Sequence, residues 1–451
     1  MKLFIAVPQI TPPETIQAMR KAAQAAGFTA VFAQDVALKN PRGTTNERKL
    51  ANFYAVCRAM KECDAMMANL TPYLGVEPDP DVIFQLGYMT AQQKPVFSYT
   101  NVSKPFYDRV EEWNGGKFAT DQVTGASGNV AVLKRDRDNM RSENMGIKDR
   151  DPVLAEADQP DNYNNLMLEG PSMLTGSKVL TPSLVRTHVP EASLYSDLSV
   201  FAASLAEARQ HLVVEGRTKA AAAPKKSEDS LGIYLAGPDV FLPNLDQHFE
   251  DKKLVLTDCK LNGVAPTDAQ MDFGLMQTWA RANGNNPKMR EAIFKADTGV
   301  MQSVRGGIFN LTPHHGVAGD SGTIFEMGYM TGKDDKLGRR PMVFGYSNDG
   351  YGLKGRIAQW KRNPQGPAYG AEKAAAVTAP DTVFSSMIDG AMLASGGTLN
   401  NRLDHAKSKY LNLQQDQVFS HLSEFIHAAH EARRMCRINS ILQRSSQLAV
   451  G

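Results

Sequence analysis

Three acidic residues in the second half of the chain, Asp297, Asp320 and Glu326, have types and spacing that suit chemistry at an anomeric carbon. We predict that Asp297 ends a helix just before a buried strand, that Asp320 lies in the loop after that strand, and that Glu326 lies in the next helix. Carboxylates that share a confined pocket push each other's pKa values apart, so one can stay ionised while another holds a proton. Such a set can supply a nucleophile and a proton donor for cleavage of a glycosidic bond.

Each of these features also has a plainer interpretation. A glycine-rich loop before a helix, here residues 316–322, allows close backbone approach to a small ligand but also fits many turn and phosphate-binding roles. A single glutamate on a helix usually faces solvent. Glu326, however, stands in the apolar segment 324–330, and a carboxylate buried there needs a reason. The sequence therefore favours a functional role for Glu326.

An internal repeat indicates which elements must position these acids. The string NLTP occurs at 69–72 and again at 310–313, and GYM occurs at 87–89 and at 328–330. Both pairs are separated by 241 residues, so the block carries no gap. Flanking strings also match in order: FIAVP at the start of the chain resembles YLAGP at 234–238, and KPVFSYTN resembles RPMVFGYSN further along.

Each copy alternates strand and helix signals. In the second copy, apolar runs predict strands over 232–236, 307–311 and 341–346, with helices over 287–297 and 320–330. This order predicts a parallel sheet flanked by helices, in which ligands bind at the carboxyl ends of the strands. Further helices are predicted to close the copies, over 198–212 and 414–434.

The segment 215–230 has no large apolar side chain and is typical of a linker. We therefore predict one domain over 1–214, a second over 231–440, and a C-terminal tail over 441–451. A chain of 451 residues is long enough for two such cores.

Composition and charge argue against several classes of function. The chain is 42% hydrophobic and 22% charged, with a net charge of +2, which indicates neither nucleic-acid nor membrane binding. The apolar start ends at Pro8 and predicts a buried strand rather than a signal peptide. Because the four cysteines show neither CxxC spacing nor a histidine cluster, we expect no metal site, no disulfide framework, and a cytoplasmic location.

Taken together, YLAGPDVFLPN at 234–244, the acid at 297, FNLTP at 309–313 and GDSGTIFEMGYM at 319–330 resemble the nucleoside 2-deoxyribosyltransferase family. The resemblance covers most of the second copy and, more faintly, the first. It implies an α/β chain with two tandem flavodoxin-like (Rossmann-like) domains and no cofactor. It also implies transfer of 2-deoxyribose from a 2′-deoxynucleoside to a free nucleobase through a covalent glycosyl-enzyme.

The resemblance assigns roles to single residues of the second copy. Glu326 matches the nucleophile, and Tyr234 matches an aromatic residue that positions it. Asp320 matches a substrate-binding acid, and Asp297 matches the acid that assists base protonation and sugar binding. The remaining substrate-binding candidates are Gly237, Asp239, Phe241, Gly322 and, as a weaker base contact, Asp268.

The first copy departs from this pattern. At the separation of 241 residues, Gln85 stands in place of Glu326 and Val56 in place of Asp297. Only Asp320 keeps an acidic counterpart, Asp79. A neutral amide cannot act as a carboxylate nucleophile, so we predict that the first copy is catalytically inactive. The alternative is that Gln85 marks a different chemistry.

Active sites of the family are completed by a residue of a neighbouring subunit, typically in a DNLM-like strand, and DNYNNLML occurs at 161–168. We therefore expect an intramolecular pseudo-dimer in which Asn165 or Asn164 reaches the Glu326 pocket and binds the sugar 5′-hydroxyl, while Ser385 faces the inactive pocket. The alternative is an edge strand whose asparagines only make turns. Assembly of these pseudo-dimers into homo-oligomers is left open.

Two other functions remain open at this stage. A relative with the same glutamate could use water as the acceptor and hydrolyse 2′-deoxynucleosides or their 5′-monophosphates. A nucleoside-binding protein without activity is the third alternative, and the complete acid set of the second copy argues against it. The charged segment 134–151 looks like an insertion to which no function is assigned.

Overall fold

The computed structural model describes most of both repeats. It covers residues 1–36, 43–106, 109, 123–124, 130–131, 163–220, 228–241, 245–268, 287–314, 316–362, 382–398 and 420–450. The charged segment 134–151 lies outside these residues. Within them, no helix has both the length and the apolar character needed to cross a membrane.

The first repeat folds around a four-stranded sheet in which all strands are parallel. In chain order the strands are β1 (Lys2–Ala6), β2 (Thr29–Val31), β3 (Ala65–Asn69) and β4 (Val96–Tyr99). Their order in space is β2-β1-β3-β4. The helices up to β4 are α1 (Pro13–Ala25), α2 (Ala33–Val36), α3 (Thr45–Glu62) and α4 (Pro80–Ala91). They supply the crossovers that parallel strands require.

Among the described residues, the rest of the first repeat is a small hairpin followed by helices. The hairpin strands are β5 (Val123–Thr124) and β6 (Val130–Ala131). The helices are α5 (Leu166–Thr175), α6 (Pro182–Val185) and α7 (Ser199–Arg209), with a 3-10 turn over Glu191–Ser193 and a π-helical end over Gln210–Val214.

The second repeat has the same topology. Its strands are β7 (Asp229–Ala236), β8 (Asn262–Val264), β9 (Val304–Asn310) and β10 (Val343–Tyr346), in the parallel order β8-β7-β9-β10. Its helices are α8 (Leu245–Asp258), α9 (Pro287–Ser303), α10 (Ser321–Lys336), α11 (Leu353–Arg362), α12 (Ser386–Ala394) and α13 (Ser423–Val450), with 3-10 turns over Pro238–Phe241 and Pro266–Asp268. The prediction of two tandem Rossmann-like α/β units is confirmed, and the strand order is the one with which flavodoxin-like sheets begin.

Alternation along β7 decides which of its side chains face the first repeat. Ile233 and Leu235 pack into the core under α8 and α13, whereas Tyr234 and Ala236 belong to a different core on the opposite face. This is the period of two that an extended strand imposes. Both faces are apolar because helices cover the sheet on both sides. Tyr234 is therefore directed toward the face on which the two repeats meet.

The repeats contact each other through α4 and α10, whose backbones touch at glycines. A β-carbon on Gly87 would lie 2.1 Å from the carbonyl oxygen of Phe325, and one on Gly328 would lie 2.1 Å from the carbonyl oxygen of Phe84. These distances leave no room for a side chain, so glycine is required at both positions. The contact is reciprocal, because Gly87 and Gly328 are themselves counterparts in the repeat.

A second pair of contacts joins the repeats away from this crossing. A β-carbon on Gly170 of α5 would lie 2.1 Å from the ring of Phe294 on α9, and one on Gly390 of α12 would lie 2.3 Å from Cβ of Phe53 on α3. Each repeat thus packs one of its late helices against the other repeat. As a result, a single hydrophobic core runs through both repeats.

Several predicted boundaries are wrong. Asp297 does not end a helix, because α9 continues to Ser303. The residues after Asn165 form a helix and not a strand, since α5 begins at Leu166. The strand β7 begins at Asp229, inside the predicted linker, and α13 continues to Val450, where the sequence predicts a tail.

We expect Gly328→Ala to lower the free energy of unfolding by at least about 1–3 kcal/mol, the usual cost of overpacking a core. The added methyl group would meet the carbonyl oxygen of Phe84, and backbone cannot move aside as a flexible side chain can. Urea unfolding followed by circular dichroism measures the loss.

The matched control is Gly355→Ala in α11. A β-carbon there would lie 3.4 Å from the Tyr351 ring, an ordinary contact. Alanine has the higher helix propensity, so this variant should gain up to about 1 kcal/mol. Equal stability of the two variants would contradict the close crossing.

Candidate active site

The cap of α10 places the first of the three acids. Asp320 is its N-cap, and Oδ2 of Asp320 accepts hydrogen bonds from the backbone nitrogen and from Oγ1 of Thr323, both at 2.8 Å. These bonds satisfy a backbone donor that the first turn of a helix cannot pair internally. The cap predicted at Asp320 or Ser321 is thus at Asp320. It fixes where α10 starts and hence where Glu326, the sixth residue of the helix, lies.

Glu326 is held by Tyr234. The phenol oxygen of Tyr234 donates a hydrogen bond of 2.6 Å to Oε1 of Glu326. Both side chains are buried, Glu326 with 7% of its surface exposed. The bond joins β7 to α10, so the orientation of this carboxylate is set by two elements of regular structure.

One cavity brings the three acids together at the carboxyl ends of β7 and β9. Its volume is about 30 Å³. Six predicted site residues lie on its wall: Glu326, Asp297, Asp320, Gly237, Gly322 and Asn165. The other described residues of the wall are Met167, Val240, Pro266 and Thr323. A void of this size holds about one water molecule. A larger ligand can therefore enter only if the walls separate.

Burial dominates the electrostatics of Glu326. It raises the pKa of Glu326 well above the ordinary value of a glutamate, and the negative charges of Asp297 and Asp320 act in the same direction. The hydrogen bond from Tyr234 opposes this shift because it stabilises the ionised form. Burial also raises the pKa of Tyr234 itself, so the phenol keeps the proton that it donates.

Asn165 reaches this cavity from the first repeat. It is the N-cap of α5, and its Oδ1 accepts a hydrogen bond of 2.9 Å from the backbone nitrogen of Met167. Its Nδ2 lies 3.3 Å from where a β-carbon on Gly322 would be and has no hydrogen-bond partner among the described residues. Asn164 is fully buried and does not line the cavity. Of the two predicted asparagines, the structure therefore brings Asn165 to the acids.

Asp239 is not brought to the cavity. Its carboxylate is buried, forms an ion pair with Lys252 and accepts a hydrogen bond of 2.6 Å from Nδ2 of Asn310. Burial alone would raise the pKa of Asp239, but Lys252 outweighs it, together with His248, and lowers the pKa to about 2. The predicted contact with substrate is therefore corrected, since this permanent anion ties the loop after β7 to α8 and β9.

Asp268 also points elsewhere. It is exposed, pairs with Nζ of Lys253 at 2.9 Å and accepts a hydrogen bond of 2.8 Å from the backbone nitrogen of Ala265. Its carboxylate thus closes a turn, and Pro266 is the residue of this turn that lines the cavity. Phe241 ends the turn after β7, and its side chain lies outside the described residues.

Sequence reasoning missed three polar residues beside Asp320. Thr323 could have been found as the usual partner of an N-cap three residues earlier. His314 has its Nδ1 4.0 Å from Oδ1 of Asp320, and burial lowers its pKa to about 4, so it is neutral at neutral pH. Glu77 comes from the first repeat, and burial together with the charge of Asp320 raises its pKa to about 8. No local pattern places Glu77 there, because it arrives through the contact between repeats.

The first repeat keeps the scaffold of this site and the counterpart of Asp320, but not those of Glu326 and Asp297. Asp79 caps α4, accepting a hydrogen bond of 2.9 Å from the backbone nitrogen of Asp81. Gln85 and Val56 line the corresponding cavity. Ser385 does not face it as predicted, because its hydroxyl caps α12, and the next residue, Ser386, lines the cavity instead.

The sequence profile of the nucleoside 2-deoxyribosyltransferase family matches residues 11–167 and 233–396. These segments make up more than half of the chain and fall on both repeats. The chain belongs to this family. Among curated proteins, an uncharacterized protein of Schizosaccharomyces pombe is 31% identical over 137 residues, which are 30% of this chain and 59% of that protein. The match thus spans less than two thirds of that relative.

A deoxyribosyltransferase fold with a buried, high-pKa glutamate should be less stable at high pH. A carboxyl group whose pKa is raised on folding favours the native state when protonated, and this contribution is lost as the pH rises through the native pKa. Glu326→Gln removes this penalty. We expect the melting temperature of the variant to exceed that of the wild type at about pH 8, with the difference shrinking toward about pH 4.

Scanning calorimetry across this pH range makes the measurement. Glu250→Gln is the control, since Glu250 is an exposed glutamate and its substitution should give no pH-dependent difference. If Glu326→Gln is no more stable than wild type at high pH, the pKa of Glu326 is not raised on folding.

Proposed function

We propose that the second repeat transfers 2-deoxyribose between nucleobases through a covalent intermediate on Glu326. The observation that carries this proposal is the hydrogen bond from Tyr234 to a buried Glu326 whose cavity also contains Asp297 and Asp320. A nucleophile, a residue that orients it and additional acids within one confined site are what double displacement at an anomeric carbon needs.

In the first step, Oε2 or Oε1 of ionised Glu326 attacks C1′ of a 2′-deoxynucleoside from the face opposite the base. The bond between C1′ and the base nitrogen breaks, and its electron pair leaves with the base. Asp297 supplies the proton that the departing base takes up. Tyr234 stabilises the ionised form of Glu326 before the attack and keeps its oxygen aligned.

In the second step, a nitrogen of the incoming base attacks C1′ of the deoxyribosyl-Glu326 ester. The incoming base returns a proton to Asp297, and Glu326 leaves as a carboxylate. Oδ2 of Asp320 is occupied by Thr323, so Oδ1 is the oxygen available for a sugar hydroxyl. No cofactor takes part in either step.

The first repeat completes this site in the proposal. The two repeats act as an intramolecular pseudo-dimer, with domains at about 1–214 and 231–440, and Asn165 is the residue that crosses over. Its Oδ1 is used by the cap of α5, so Nδ2 is the group that donates to the 5′-hydroxyl of the sugar. The absence of a carboxylate at Gln85 supports an inactive first repeat.

A hydrolase is the second candidate, because water can open the same ester. Both reactions need the walls of the cavity of about 30 Å³ to separate for the 2′-deoxynucleoside, and an acceptor base needs a larger opening than water does. In that case water attacks the same ester, and the products are the free base and 2-deoxyribose or its 5′-phosphate. The substrates would be 2′-deoxynucleosides or their 5′-monophosphates.

Product analysis separates these candidates. We expect deoxyinosine to yield deoxyadenosine only when adenine is added, as measured by chromatography. Free hypoxanthine at equal rates with and without adenine would indicate the hydrolase. No turnover of deoxyinosine, thymidine or their 5′-monophosphates would contradict both and leave a binding protein.

Glu326→Gln should reduce this turnover by on the order of 10³-fold or more, because an amide cannot form the glycosyl ester. Its melting temperature, expected to be at least that of wild type, excludes misfolding as the cause. Glu250→Gln on the exposed face of α8 should retain wild-type turnover. Substantial turnover by Glu326→Gln would remove the covalent step from the mechanism.

Asn165→Ser tests completion by the first repeat. Serine keeps an N-cap, as Ser385 does for α12, while the amide donor is lost. Loss of one hydrogen bond to the sugar should lower kcat/KM about tenfold. Unchanged kinetics for a 2′-deoxynucleoside would show that Asn165 serves only as the cap of α5.

The same variant has an internal control in the substrate. With a 2′,5′-dideoxynucleoside, which lacks the 5′-hydroxyl, wild type and Asn165→Ser should become equal. An equal loss with both substrates would indicate a general disturbance of the site.

A further inference from the structure

The larger of the two cavities at corresponding positions belongs to the repeat that lacks the nucleophile. It has a volume of about 360 Å³, against about 30 Å³ beside Glu326. Ligand-binding cavities begin at roughly 300 Å³. Its position is the expected one for a ligand, next to Val7 after β1 and beside the start of α4. Loss of the acids has therefore not been accompanied by collapse of the cavity.

Four of the polar residues on the described wall of this cavity are neutral amides. Gln85 is only 4% exposed and lines this cavity. A buried amide needs partners for its donors and its acceptor, and a molecule in the cavity can supply them. Gln9 and Asn52 line the same space, and Nε2 of Gln9 donates a hydrogen bond to Asp81.

The one carboxylate on the described wall, Asp81, is already satisfied. Its Oδ1 accepts a hydrogen bond of 2.9 Å from the backbone nitrogen of Met387, and its Oδ2 accepts bonds from Ser386 at 2.6 Å and from Gln9 at 3.0 Å. No lysine or arginine is among the described residues of the wall. The described part of the lining thus suits a ligand without net charge rather than a phosphate ester.

The rest of the wall is apolar and partly aromatic. Phe53, Val56 and Val82 come from the first repeat, and Leu353 and Met387 come from the second. Flat apolar contacts combined with an amide edge are how proteins bind heterocyclic bases, and glutamine can pair with an adenine edge through two hydrogen bonds.

We propose that this cavity is a second, non-catalytic binding site for a neutral nucleoside or nucleobase, with Gln85 as the residue that recognises it. The choice of ligand class rests on the function proposed for the second repeat; the existence of the site does not. The ligand leaves unchanged, because Gln85 offers no carboxylate to attack C1′ and Val56 offers no proton to a leaving base.

A ligand bound in this cavity stabilises the contact between the two repeats. Asp81 holds Ser386 and Met387 of the second repeat against the cavity, so a ligand touches both repeats at once. A molecule that binds only the assembled native state stabilises it by mass action. The ligand is therefore expected to raise the melting temperature even when the second site cannot turn it over.

Equilibrium dialysis of Glu326→Gln with radiolabelled 2′-deoxyadenosine, thymidine or adenine counts the sites in the full-length chain. We expect at least one of these probes to bind at two equivalents per chain. In the double variant with Gln85→Met, one equivalent should weaken at least tenfold, because methionine keeps the volume but not the hydrogen bonds. Gln210→Met, at an exposed glutamine of the same repeat, is the matched control.

Val56→Phe is a second route to the same result, because it fills the cavity without touching an amide. If Gln85→Met and Val56→Phe both leave the bound amount and the affinities unchanged, the proposal is overturned. If all three probes bind at one equivalent, and that equivalent is insensitive to Gln85→Met, it is overturned as well.

Failure of the proposed function has a different signature. Suppose that two equivalents bind, that Gln85→Met weakens one of them, and that the wild type turns over no deoxynucleoside. This result would contradict the transferase and hydrolase proposals and uphold the second site. Base-dependent transfer with a single equivalent bound at the Glu326 site would support the transferase proposal and overturn the second site.

Discussion

The close crossing of α4 and α10 is the constraint on which the rest of the structure depends. Gly87 and Gly328 let each helix rest on a carbonyl oxygen of the other. Those carbonyls belong to Phe84 and Phe325, the residues just before Gln85 and Glu326. Successive helical residues are turned by about 100° around the axis, so the residue after a contact is directed to its side. The crossing therefore places Gln85 and Glu326 at the edges of the interface, where each cavity takes part of its wall from the other repeat.

Burial raises the pKa of Glu326, and it also makes the ionised form of Glu326 unfavourable for the stability of the fold. An acid in an apolar segment, near two other acids, has its ionised form disfavoured. The structure offsets only part of this through the hydrogen bond from Tyr234. By contrast, Asp239 is buried as deeply but has Lys252 beside it, and its pKa is lowered. The difference separates an acid whose charge is compensated by a neighbouring cation from one whose charge is not.

Much of this arrangement could be predicted from the sequence because it repeats a local pattern. The parallel sheets followed from two copies of the same strand and helix signals, and the position of Glu326 followed from its distance to Asp320. Asp239 was misjudged because its partner Lys252 lies one helix away, and nothing local distinguishes a paired acid from a reactive one. The helix α5 was missed because the resemblance placed a strand at 161–168, where Asn165 is in fact the N-cap of the helix. Gly170, within this helix, is required by the ring of Phe294, a contact between repeats that no local pattern indicates.

A duplicated chain can change one of two matched sites without changing the other, and the pair Asp81 and Gly322 shows how. These residues occupy corresponding positions, 241 residues apart. In the first repeat, Asp81 binds Ser386 and the backbone of Met387 and so fixes the segment that the second repeat contributes. In the second repeat, Gly322 leaves the same space open, and the amide of Asn165 lies against it. In a symmetric dimer of identical chains, both sites would carry the same residue at this position, either aspartate or glycine. Within one chain, the first repeat can secure the interface while the second keeps space beside Asn165, which is a physical reason for retaining a copy with glutamine in place of Glu326.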